Sequence, residues 1–235
     1  LKRSLTILEG YLWRRISVPL LKALQGSSHF VKLPLDTKTQ KLYSTTETTL
    51  SFSREEEFHF ERELGRMGVG PNDWFVCFHS RDLAYDRDHY YANRKFPDDK
   101  SEKSFRDCRI SNFIPAMEYV VEKGGYAIRL GSHVEEALPD LGPQIVDYAC
   151  DIRPQCRDPD FMDIALIANC RFFVGSTSGL ICVPPIFNVP SAQTNMAPLY
   201  HTGYGRLMQY IPKLVYRETD NTVLHFAEAR RLGLF

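Results

Sequence analysis

The sequence lacks a net charge: 29 Lys and Arg residues balance 29 Asp and Glu over 235 positions. No general field therefore draws the chain to nucleic acid or to an anionic membrane surface. Long apolar runs are missing too. None approaches the length of a bilayer span, and no signal peptide is visible. The six cysteines (Cys77, Cys108, Cys150, Cys156, Cys170, Cys182) form no C-x-x-C pair. Some of them stand in or beside apolar segments, which favours reduced, buried thiols in a cytoplasmic protein over a disulfide frame. Neither G-x-G-x-x-G nor a Walker A pattern occurs, so dinucleotide and P-loop readings lose their main support. The histidines show no metal-ligand spacing. The chain starts at Leu1 without Met, inside what reads as a helix, and is expected to be a fragment.

What is present begins with a core: 43% hydrophobic residues are ample for one large domain or two small ones. Residues 3–24 carry helical apolar spacing broken at Pro19, and 26–52 read as a polar connector. Residues 1–52 are therefore expected to be an N-terminal helix and connector, and 53–235 a separate domain. Ser53 and Glu56 have the spacing of a capping box, which starts a helix at 54–67 ended by Gly68 and Gly70. Strands are expected at 73–79, 126–130, 145–148, 171–174 and 185–190. Between them lie a helix over 112–123 capped by Ser111 and a helix opened by Asp158-Pro159. The strand segments are apolar throughout instead of alternating, as in a parallel sheet with helices on both faces. The fold class is α/β, a Rossmann-like parallel sheet.

In such a sheet ligands meet the carboxyl ends of the strands. Those ends carry His79-Ser80-Arg81-Asp82, then Arg129 to Ser132 with Gly131, then Asp147 and Asp151, then Gly175 to Gly179, then Gln193-Thr194-Asn195. The fourth is the most telling. Gly175 permits a sharp bend, Ser176, Thr177 and Ser178 supply hydroxyls, and the turn is expected to open a helix whose free N–H groups suit a diphosphate. Arginines, hydroxyls, amides and carboxylates together fit a nucleotide sugar. Plainer roles stand beside these. Arg129 also fits an edge arginine that snorkels, Asp147 and Asp151 fit turn formers, and Asp163 fits a helix surface. His79 reads as a strand-end histidine rather than a base. The triplet Asp86-Arg87-Asp88 imitates a metal-binding Asp-x-Asp, but one such match is expected by chance, and no metal site or cofactor is read.

Val76-Cys77-Phe78-His79-Ser80-Arg81-Asp82, followed by Phe172-Phe173-Val174-Gly175-Ser176-Thr177-Ser178-Gly179, resembles a bacterial family of glycosyltransferases. More distantly the pair looks like the GT-B-type fucosyltransferases, with His-x-Arg after one strand and a small-residue turn later. The segment from Asn169 to Asn195 is similar to the heptosyltransferase pattern. The resemblance spans about residues 54–215, with Asp82 where the fucosyltransferases often carry a second arginine. It implies the donor-binding half of a GT-B enzyme and inverting, metal-independent transfer from a nucleotide sugar to a glycan or other hydroxyl acceptor. It also implies that most of an acceptor-binding N-terminal domain is absent. Arg81 then meets the leaving diphosphate, Asp82 or Asp86 is available as base, and the strand ends named above, Ser132 and Asn195 included, hold the donor. Other polysaccharide-modifying enzymes (an epimerase, a pyruvyl transferase) and a non-catalytic nucleotide-binding module remain as alternatives.

Overall fold

The computed structural model describes residues 51–86, 106–196 and 205–233, with a few isolated positions between 19 and 50. By contacts the chain divides into Leu1–Lys41 and Leu42–Phe235. The expected helix over 3–24 and nearly all of the connector lie outside the described residues. Among the described residues no helix is long and apolar enough to cross a membrane.

The first helix, α1 (Arg54–Arg66), starts as its sequence requires. Ser53 Oγ accepts the Glu56 N–H at 3.3 Å, and Glu56 returns its carboxylate to the Ser53 N–H at 2.7 Å. Next come β1 (Phe75–His79), a 3-10 turn at Ile110–Phe113, and α2 (Ile114–Glu122). Ser111 falls inside that 3-10 turn and caps nothing; the α-helix starts later, where Pro115 tolerates the loss of an N–H. Strand β2 (Tyr126–Leu130) matches its expectation, whereas β3 is only Ile145–Val146, because Asp147 caps a π-type turn over Tyr148–Ile152. Asp158 caps α3 (Pro159–Asn169), which leads into β4 (Phe172–Gly175).

The expected fifth strand at 185–190 is not a strand. Pro184–Phe187 forms a 3-10 turn, since adjacent prolines cannot donate to a ladder, and Asn188 follows at φ +54°. The strand β5 is Ser191–Met196. A sixth strand, β6 (Met208–Pro212), a short hairpin of β7 (Tyr216–Arg217) and β8 (Thr222–Val223), and α4 (Phe226–Arg231) complete the described chain.

The six strands β1 to β6 form one sheet in the order β3-β2-β1-β4-β5-β6, every pair parallel. The chain winds outward from β1 to β3, returns to lay β4 beside β1, and winds outward the other way. This is the Rossmann-like α/β arrangement, and its direction reverses between β1 and β4. Both faces are covered. Phe75, Cys77, Ile128, Leu130 and Phe173 pack with Phe60, Met162 and Leu166, while Val76, Phe78 and Ala127 pack with Ile110, Phe113 and Met117. Burial on both sides explains why the strands read as unbroken apolar runs.

Candidate functional site

The carboxyl ends of β1 and β4 are stitched together by one serine. Ser176 donates its N–H to the His79 carbonyl at 3.1 Å, and its Oγ accepts the Arg81 N–H at 2.7 Å. It is fully buried. Beside it, Thr177 Oγ1 accepts from Gln193 Nε2 of β5 at 3.1 Å. Two hydroxyls at the same seam, Ser80 Oγ and Ser178 Oγ, are buried without a hydrogen-bond partner among the described residues. Buried polar atoms in that state are uncommon in folded proteins.

The turn itself differs from expectation in two ways. It does not open an α-helix: Leu180–Cys182 and Pro184–Phe187 are short 3-10 turns, so this turn aims no α-helix dipole at the crevice, and Gly179 merely precedes the first of them. Gly175, moreover, is small because of the core. A Cβ there would lie 2.6 Å from Phe173 Cε1 and 3.5 Å from the His79 carbonyl oxygen. Gly175→Val should therefore cost about 1–3 kcal/mol of stability through overpacking. Phe173→Leu in the same chain should return part of that loss. Urea unfolding of the two variants checks it, and equal stability of Gly175→Val and wild type would overturn it.

Arg81 is anchored through its backbone, since its carbonyl also accepts the Cys108 N–H at 2.8 Å. Its side chain is nearly buried, with Nε 3.8 Å from Asp107 Oδ1. The Asp107 carbonyl in turn accepts from Asn195 Nδ2 and from Lys213 Nζ, each at 3.3 Å. Asn195 reaches it from an irregular point of β5, at φ +52°. Asp107 and Lys213 thus join the edge from a loop and from the end of β6. No sequence signal marks either.

Asp82 ties the loop after β1 to the loop after β2. Its Oδ1 accepts the Ala84 N–H at 3.0 Å and its Oδ2 the Glu135 N–H at 2.9 Å. Gly131 makes that second loop possible, since a Cβ there would meet Val134 Cγ1 at 2.6 Å. Ser132 lies exposed at its tip, with its Oγ 3.4 Å from His133 Nδ1. The backbone of Asp86 closes a single turn, Ala84–Asp86; Arg87 and Asp88, the rest of the Asp-x-Asp triplet, lie outside the described residues.

Arg129 and Asp147 are joined to each other beneath the edge. Arg129 is 1% exposed, and its Nη1 donates to both Asp147 oxygens at 3.0 Å. Asp147 also accepts the Leu138 N–H at 2.8 Å and the Cys150 N–H at 3.3 Å. Arg129 Nε and Nη2 remain buried without partners among the described residues. Asp151 is exposed. Asp163 is not a surface residue: it is buried against Arg153, whose Nε lies 3.2 and 3.1 Å from its two oxygens. Burial raises the Asp163 carboxyl, and Arg153 opposes that shift.

His79 ends β1 half-buried, its Nδ1 3.2 Å from the Leu130 carbonyl. A carbonyl only accepts, so Nδ1 carries the proton. Burial first, then Arg129 and Arg81, push the imidazole down to about 4, against the Leu130 carbonyl and Asp82. Between pH 6.5 and about 4 the unfolded chain then binds a proton that the native chain refuses. Stability contributed by the neutral ring is full above 6.5 and is lost as the pH falls through that window. At about 1.4 kcal/mol per pH unit the loss has a ceiling of about 3 kcal/mol, lowered by the solvent at this half-buried ring. Urea midpoints at pH 7 and pH 4.5 should show the slope, and His79→Asn should flatten it.

Among the described residues no three His, Cys, Asp or Glu side chains gather as a metal set. No protein-family model matches the chain. A comparison with curated proteins returns no match. Among solved structures, a glycosyl transferase family 9 protein from Veillonella parvula is similar to it, 12% identical with a TM-score of 0.47 over 78% of this chain and 51% of that one. The chain thus spans about half the length of that protein.

Proposed function

We propose that this chain is the donor-binding part of a GT-B-type glycosyltransferase that moves a sugar from a nucleotide sugar to a hydroxyl of a glycan or similar acceptor. One observation carries the reading. At the β1–β4 reversal the Arg81 backbone is held by Ser176, and the same two segments carry two buried hydroxyls, Ser80 and Ser178, without a partner among the described residues. An arginine anchored at this reversal, with serines before and after it in the two strand-end segments, suits a diphosphate, and the switch point is where such a sheet receives ligands. The His-x-Arg and Gly-Ser-Thr-Ser-Gly segments that carry the resemblance are the two that meet there.

In the reaction the acceptor oxygen attacks the anomeric carbon as the nucleoside diphosphate departs from the opposite face, with inversion. Charge grows on the departing phosphate oxygens. Fixed donors aimed at that charge lower the barrier more than they tighten substrate binding. Arg81 is the principal donor, with Ser178 and Ser80 supporting it. Asp82 keeps the neighbouring loops in register, and the Arg129–Asp147 pair supports β2 and β3 from beneath. Leaving-group stabilisation is assigned to Arg81 without a metal, so turnover should survive EDTA; loss that manganese restores would reassign it.

The test is a thermal-shift screen with nucleoside diphosphates, because a ligand that binds only the folded state raises Tm. Product analysis with a panel of nucleotide sugars and hydroxyl acceptors follows. A new glycoside with inverted anomeric configuration supports the reading. An epimerised donor or a pyruvylated acceptor would replace it with another polysaccharide-modifying activity, and binding without turnover would leave a nucleotide-binding module.

A further inference from the structure

A hydroxyl that attacks a sugar must lose its proton, and several of the described carboxylates at this edge are already engaged. Asp82 gives both oxygens to backbone N–H groups, Asp147 is held by Arg129, and Glu136 accepts from Arg109 at 3.0 Å. His79 differs. Its Nδ1–H is committed to the Leu130 carbonyl, which fixes the tautomer and leaves a lone pair on Nε2. The hydrogen bond of the ring is the one at Nδ1, and the residue is half-buried. The residue stands at the end of β1, two positions before Arg81 and in register with Gly175 of β4.

We infer that His79 is the general base of the transfer, taking the acceptor hydroxyl's proton on Nε2; this rests on the glycosyltransferase reading above. As the acceptor O–H gives its proton to Nε2, its oxygen bonds to the anomeric carbon. The bond from that carbon to the phosphate oxygen breaks, and its electron pair leaves with the nucleoside diphosphate. The imidazolium then releases the proton to solvent. A neutral base has a specific advantage here. A carboxylate beside a departing diphosphate adds like charge, whereas an imidazole takes the proton without having repelled the donor. Burial above all, with Arg129 and Arg81 acting against the Leu130 carbonyl and Asp82, leaves the ring uncharged at neutral pH, with about the basicity of a carboxylate.

His79→Asn separates the base from the structural role. The asparagine amide can still donate to the Leu130 carbonyl, but it has no atom at Nε2. In the full chain it should keep nucleoside-diphosphate affinity within about twofold while kcat falls at least about a hundredfold. The acid limb of the wild-type kcat profile, placed near pH 4 by the ring, should vanish from the residual activity. A His79→Asn enzyme with kcat within about threefold of wild type and the same acid limb would overturn the assignment. So would loss of turnover in Asp86→Asn beside normal turnover in His79→Asn, which moves the base to Asp86. If His79→Asn does not fold, diethyl pyrocarbonate on the wild type decides. Modification mapped to His79 should abolish transfer and be blocked by bound nucleoside diphosphate, and full activity after it would exclude the base. A wild type that binds nucleotide yet transfers no sugar removes the glycosyltransferase reading itself, an outcome distinct from transfer that persists without His79.

Discussion

Asp147→Ala should cost about 3–5 kcal/mol of folding stability, the usual price of stranding a buried charge. Arg129 keeps almost no contact with solvent, and its Nη1 rests on both oxygens of this carboxylate. The same oxygens satisfy the N–H groups of Leu138 and Cys150, so truncation also orphans two backbone donors. Domains of this size have about 5–15 kcal/mol in total, and the variant should lose much of its folded population on mild heating. Asp147→Asn keeps an acceptor and the shape, and it should lose less. The double variant Arg129→Met with Asp147→Leu removes both charges and should be more stable than either partner deleted alone. Urea unfolding of these variants, beside Arg129→Met alone and wild type, gives the result. A loss under about 1 kcal/mol in Asp147→Ala would show that water reaches Arg129 and that the pair is not a support of the edge.

The parts of the fold that were legible in the sequence are those governed by neighbours along the chain. The capping box of Ser53 and Glu56, the Asp158-Pro159 start of α3 and the apolar strands β1, β2 and β4 depend on local residues, and each was readable within two positions of its observed bounds. The fifth strand was misplaced because Ile181 to Pro190 is apolar enough for a strand, while two prolines and the left-handed Asn188 turn it into 3-10 structure. Strand β6 was invisible for the opposite reason: an exposed edge strand with Tyr210 and Ile211 facing solvent shows neither alternation nor an unbroken buried run.

The site divides in the same way. Arg81 and Ser176 were legible because motif position placed both at strand ends, and the chain joins them through a backbone N–H and a hydroxyl. That Arg129 and Asp147 would face each other required knowing that β2 and β3 are adjacent and parallel. Asp107 and Lys213 belong to the edge only through contacts between residues far apart in the chain and through a strand that the sequence does not announce. Gly175 was noticed for its conformation, yet what restricts it is the ring of Phe173 two residues earlier, a clash between side chain and absent side chain that no motif encodes.

Arg81→Ala should lower transfer by about two orders of magnitude, roughly 3 kcal/mol of transition-state stabilisation, while the chain stays folded. The fold survives because the links that place this residue are its N–H to Ser176 and its carbonyl to the Cys108 N–H, and both persist when the side chain is cut. Arg81→Lys restores the cation beside Asp107 but not a planar fork, so little of the rate should return. Asp107→Asn supplies the contrast. It keeps the carbonyl that receives Asn195 and Lys213 and removes only the carboxylate near Arg81, so its effect on turnover should be far smaller than that of Arg81→Ala. Ser176→Ala should act differently again, since it releases the loop instead of the guanidinium. About 1 kcal/mol of stability should go with that one hydrogen bond, and donor affinity should weaken together with it. The measurements are kcat and KM for the donor in all four variants, beside their urea midpoints. A rate deficit in Arg81→Ala that tracks its loss of stability would make the residue structural; a deficit in kcat at nearly unchanged stability is what stabilisation of the leaving diphosphate requires.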